Sequence, residues 1–385
     1  MKRTALFFAT VFCISLLPLF ASTASARKLE NDEAPWRMLE QAQVAYDSGN
    51  YGVALNLANK AKENRALEIN WELNVLENAL SPQQVKKAGD HFDDVLSVLA
   101  ERDSNEAIAL IKQYLTLHGE SFYENSITRL LEWLNKSIVY PEADFLTGKI
   151  YQLEGEFALS ANFYEKARVE AEFLDIPDLK YDILYAMAAL AEEQGTSEEY
   201  EQSLLLILST DENFQNAILQ RSFERIIDAD TRDNVDRFFT LFRCAANHSI
   251  PALYELCLLY RSRDSMNESF KCATLGMLEA FTHMLESLQE REMSYRFTDL
   301  ASFFTIVGSY RDFRIWTQES HVWELFFLFV EGAELRGRTV FAERFYEVMS
   351  ESIPDVYWRA QAQNRLELLR ASKANGEAVQ AQAAN

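Results

Sequence analysis

Along most of this 385-residue chain, apolar residues recur every three or four positions, the spacing that lines one face of an α-helix. The runs VDRFFTLFRCAA at 235–246 and PALYELCLLY at 251–260 show it most densely. Strand-type alternation does not occur, and the chain holds only 12 glycines and 7 prolines to break helices. The pattern therefore predicts an all-α protein. Phe326 to Val330 is apolar on every side, as a fully buried helix requires. The segment VYWRAQAQNRLELLR at 356–370 is polar on one side and suits a capping helix, and residues 371–385 carry no apolar stripe and are expected to fray.

The pattern also repeats. AYDSGNYGVALNLANKA at 45–61 returns as YQLEGEFALSANFYEKA at 151–167: Gly49 matches Gly155, Tyr51 matches Phe157, Ala54 matches Ser160, and Lys60-Ala61 matches Lys166-Ala167. Glycine accepts a left-handed backbone at little cost, so one helix can end there. The aromatic two residues later then packs the next helix back, with a small residue where the backbones meet.

With Gly148, Tyr151, Tyr164 and Ala167, the second copy resembles the tetratricopeptide repeat, a helix-turn-helix unit of about 34 residues. The first copy departs from that pattern at Ala42, Ala45 and Ala58. Looser copies span 183–208, with Ala188, Gly195, Tyr200 and Ser203, and 329–354, with Gly332, Leu335, Ala342, Tyr346 and Pro354. The 106 residues between Gly49 and Gly155 have room for two more units, one of them around NEAIALIKQYL at 105–115.

The resemblance implies a solenoid of antiparallel helix pairs, with repeats over 27–210 and degenerate repeats over 211–370. It also implies a concave wall, lined by the first helix of each pair, that takes a protein or peptide. Residues on that wall would be Gln43, Tyr46 and Asp47, then Lys149 and Gln152, then Tyr185 and Glu192.

Charge and the N-terminus narrow the setting. MKRT, the apolar run ALFFATVFCISLLPLF and ASTASA follow the order of a cleavable secretory signal, with a cut after Ala26. Residues 1–26 are thus expected to be lost on export to the periplasm or beyond. Removal of Lys2 and Arg3 leaves 35 basic against 59 acidic residues, a net charge of −24. Such a field repels phosphate backbones and anionic headgroups, which points away from nucleic acid and from stable membrane insertion.

Catalytic and metal motifs are not in evidence. His91, His118, His248, His283 and His321 are scattered, no H-E-x-x-H or paired C-x-x-C occurs, and no glycine-rich loop could cradle a phosphate. No metal, cofactor or enzymatic activity is expected. The turn RSRDSMN at 261–267 places Cys257 and Cys272 at one level of a helical hairpin, either as a disulfide or as two buried thiols. Residues 295–329 hold eleven aromatics. They suit either a thick local core or a partner surface centred on Tyr310, Arg314 and Trp316.

The resulting expectation is an exported protein- or peptide-binding scaffold of a bacterial cell envelope. A small-ligand-binding helper of a solute transporter is the alternative. A helical-repeat cell-wall lyase would be marked by a deep pocket with a lone buried glutamate.

Overall fold

A computed structural model describes residues 29–79, 136–245 and 247–383. The expected signal segment 1–26 and the repeat at 105–115 lie outside the described residues. Among those described, sixteen α-helices occur and no strand, so the chain is all-α as its periodicity predicts. Two compact units divide at Ala143 and Asp144.

The first unit contains α1 (Pro35–Asp47) and α2 (Tyr51–Ala79). Helix α3 (Pro141–Leu153) begins at the boundary, and α4 (Phe157–Val169), α5 (Leu179–Glu193), α6 (Ser197–Leu208), α7 (Glu212–Gln215), α8 (Ala217–Asp228) and α9 (Asn234–Leu241) follow. The second unit then continues through α10 (Ile250–Ser262), α11 (Met266–Arg291), α12 (Leu300–Ser309), α13 (Arg311–Glu319), α14 (Val322–Leu335), α15 (Thr339–Ser352) and α16 (Val356–Ala383).

Five helix pairs share one turn. Each first helix ends at a residue with positive φ: Gly49 (76°), Gly155 (77°), Gly195 (71°), Asp264 (59°) and Gly337 (79°). At each, the next N–H reaches five residues back, as from Asn50 to the Ala45 carbonyl, from Thr196 to Ala191 and from Ser265 to Tyr260. This closure satisfies carbonyls that a helix end would otherwise leave bare. Only glycine, or a short polar residue such as Asp264, takes the left-handed conformation cheaply.

Burial repeats in step with the turn. Nine residues after it stand Ala58, Tyr164, Leu204, Ala273 and Tyr346, all buried, and five residues after it the small Ala54, Ser160, Ser269 and Ala342 are buried too. A side-chain bond recurs as well. The Tyr164 hydroxyl donates to Gln152 at 2.8 Å, and the Tyr346 hydroxyl donates to Glu334 at 3.2 Å, with each acceptor three residues before its turn. The turns do not keep a 34-residue period, because α7 to α9 intervene before the fourth pair and α12 and α13 before the fifth.

The second unit packs around α11, which is buried over most of its length and lies against α10 and α14. Phe239 of α9 meets Phe281 of α11, Phe326 of α14 and Phe345 of α15, with ring centroids 4.7 to 6.0 Å apart. Three observations bear on the expectations above. No domain break falls at 210, since Leu204, Ile207 and Leu208 share one core with Phe223 and Ile227. Helix α16 continues to Ala383 where fraying was expected after 370; residues 371–383 hold five alanines and no proline. Third, none of the eleven aromatics at 295–329 is exposed: Phe303, Phe304, Phe313, Trp323, Phe326 and Phe329 are buried and the other five half-buried. A core built from α9, α11, α12, α14 and α15 accepts more rings than a single helix pair could.

Candidate functional site

Two clefts open on the second unit. The first, of about 390 Å³, is formed by α4, α5 and α6. Met187, Leu190 and Ala191 of α5, with Ala161 and Leu206 on either side, make an apolar floor, and Arg168, Gln194, Glu199, Gln202 and Ser203 make the rim. It arises because α5 packs against both α4 and α6 and leaves the stripe between them uncovered. The Arg168 guanidinium is held by Glu165 at 2.6 and 2.7 Å. The uncompensated rim charge is therefore Glu199, next to Glu198 at the start of α6.

The second cleft, of about 380 Å³, is lined by Gln220, Phe223 and Glu224 of α8, by Asn267, Glu268, Phe270, Lys271, Thr274 and Leu275 of α11, and by Arg336 just after α14. Its two cations lie over rings: Lys271 Nζ is 3.9 Å from the Phe214 centroid, and the Arg336 guanidinium is 4.8 Å from that of Phe270. Burial lowers the Lys271 pKa, because an ammonium loses water there. Arg336 is also tied to Glu224 at 3.4 Å.

Residues expected on a concave wall are mostly committed to packing. Gln152 joins α3, α4 and α5, accepting from Tyr164 and donating to Glu193 at 3.0 Å. The Tyr185 hydroxyl donates to the His248 carbonyl at 2.6 Å and accepts from the Ala252 N–H at 3.1 Å, satisfying a donor at the start of α10; burial raises its pKa. Tyr46 packs on Tyr51 at 5.8 Å, and Lys149 lies over Phe145 at 5.4 Å. Tyr185 thus faces α10, whereas the groove lies on the α5 face that carries Met187, Leu190 and Gln194. Tyr310 donates to Glu292, Trp316 is half-buried against His283 at 4.6 Å, and Arg314 is exposed. None of the six that belong to the second unit lines either cleft.

The turn at Asp264 forms as expected, and Cys244, Cys257 and Cys272 are buried free thiols. Cys257 Sγ lies 3.3 Å from Ser269 Oγ. Burial pushes the Cys244 thiol up to about 12 and raises those of Cys257 and Cys272. Each described histidine packs on a different ring, His248 on Tyr181 at 3.9 Å and His321 on Tyr254 at 4.4 Å besides His283 on Trp316. Among the described residues, no group of three or more His, Cys, Asp or Glu side chains converges as metal ligands. No described helix is long and apolar enough to cross a membrane.

The residues that sequence reading missed are Lys271 and Arg336 of the second cleft and a buried pair of acids, Asp211 and Glu279. The signal for Glu279 was present: it is the lone charge in the run TLGMLEAFT at 274–282, where apolar residues cover every face of a helix.

No protein-family model matches the chain. It is similar to an uncharacterised protein of Treponema pallidum (strain Nichols), with 28% identity over 356 residues that cover 91% of this chain and 95% of that protein.

Proposed function

We propose that the protein is an exported, tetratricopeptide-like helical-repeat adaptor that binds a cationic amphipathic helix of a partner protein in the groove between α4, α5 and α6. The observation that carries this reading is the groove's chemistry. An apolar floor matches the apolar face of a helix, the Glu199 rim matches basic residues on its other face, and the chain's net charge of −22 draws such a segment in. The shared turn of the five helix pairs supports the repeat reading.

The test uses a labelled model helix of leucine and lysine, followed by fluorescence anisotropy, beside a leucine and glutamate helix of the same pattern. Leu206→Lys removes an apolar contact on the floor and adds a repelling charge; it is expected to weaken binding of the basic helix at least tenfold. Binding that Leu206→Lys leaves unchanged, or that the acidic helix matches, defeats the reading.

A second reading draws on the other cleft, whose size suits a small molecule and whose Lys271 suits a carboxylate. It corresponds to a ligand-binding helper of a solute transporter. The lyase reading gains no support from Glu279, which is buried but lines neither cleft.

A further inference from the structure

Asp211 stands just before α7 and is 1% exposed. Its Oδ1 accepts the Asn213 N–H at 2.8 Å as a helix cap, while Oδ2 is buried without a partner. Glu279, at the centre of α11, is fully buried, and neither of its oxygens meets an N–H or O–H group. The two carboxyls face one another at hydrogen-bonding range. Two carboxylates cannot bond to each other because both only accept, and two buried like charges in contact are strongly disfavoured. One proton between them removes both difficulties.

Among the described residues, the surroundings offer no other remedy. The groups that face the pair are Tyr185 from α5, Cys244 from the segment after α9, and His248 from the turn before α10. Burial keeps the phenol and the thiol protonated and lowers the His248 pKa, and the buried His248 Nε2 has no partner to receive a proton's charge. All three are therefore uncharged at neutral pH. Lys180 and Asp178 act on His248 from farther out.

We propose that Asp211 and Glu279 form a buried acid pair that holds one proton between its carboxyls at neutral pH, and that this proton is a pH-sensitive lock joining the start of α7 to the centre of α11. Burial and the Asp211 charge raise the folded-state pKa of Glu279 well above the ordinary 4.5. The stabilising effect of the proton is complete below that value, falls as the unfolded chain ionises above it, and is gone once the folded pair ionises too. A rise in pH therefore weakens the lock.

Infrared difference spectroscopy of protein carrying ¹³C-labelled glutamate, together with denaturant unfolding from pH 5 to 8, tests the idea. Glu279→Gln keeps the shape and supplies an N–H donor to Asp211 without a titrating proton. The wild type is expected to show an isotope-shifted protonated-acid band at pH 7. Its folding constant, relative to that of Glu279→Gln, should fall with rising pH by up to tenfold per pH unit, the limit for one proton. If Glu279→Gln fails to fold, the wild-type band alone decides. Absence of the band at pH 7, or parallel pH profiles for the two proteins, overturns the proposal.

Discussion

At Gly148 the backbone of α3 lies against the Tyr164 ring of α4, and replacing the glycine with alanine measures that approach. A Cβ there would lie 2.5 Å from Cδ1 and 2.6 Å from Cε1 of Tyr164. Carbon atoms normally rest at about 3.5 to 4.0 Å, so the overlap is about 1 Å or more. The ring has no room to turn aside: Tyr164 is fully buried, lies 5.7 Å from Phe145, and is held through its hydroxyl by Gln152. Overpacking of this kind costs about 1 to 3 kcal/mol, and the rigid surroundings place Gly148→Ala near about 3. Alanine recovers about 1 kcal/mol of helix propensity, leaving a net loss of about 2 kcal/mol. For a unit of this size each kcal/mol is worth about 2 to 4 °C, so calorimetry should record a Tm lower by about 4 to 8 °C. Gly52→Ala is the control, since its Cβ would meet nothing within 4 Å, and it should leave stability unchanged or raise it. Adding Tyr164→Leu to Gly148→Ala should reduce the penalty by making room. An unchanged Tm for Gly148→Ala, or a penalty that Tyr164→Leu does not reduce, would refute the proposed packing of α3 on α4.

Tyr164→Phe and Tyr346→Phe should each cost about 1 kcal/mol in denaturant unfolding, because each removes the same cross-turn bond; a neutral Tyr164→Phe would show that the recurrence is geometric only. Native protein at pH 8 should leave Cys244, Cys257 and Cys272 unalkylated by iodoacetamide while reduced, denatured protein reacts at all three, as raised thiol pKa values and burial require; native labelling at the rate of a free thiol would contradict this. Arg291 holds the Asp312 carboxyl down to about 2, so its contribution to stability is present above the ordinary aspartate pKa and fades as pH falls toward 2. Carboxyl-carbon NMR should find that midpoint and should find it raised toward the ordinary aspartate value in Arg291→Ala.

The sequence by itself determined the helices and most of their turns. A 3.6-residue period needs only local spacing, and a glycine between two periodic runs ends a helix whatever surrounds it, so Gly49, Gly155 and Gly195 were legible as turns. Asp264 was legible only through the turn-prone run around it, since an aspartate pays more for the left-handed backbone and signals it less. What each helix faces was decided by the tertiary structure. The face of α5 that bears Tyr185 looks toward α10 and the one bearing Met187 and Leu190 lines a groove, yet both follow the same period. The eleven aromatics of 295–329 looked like a surplus because one helix pair was taken as the unit of burial, whereas five helices converge on them. Asp211 and Glu279 are 68 residues apart in the chain. Their shared proton depends on the distance between two carboxyls and on the exclusion of water around them, and both are properties of packing that no local pattern encodes.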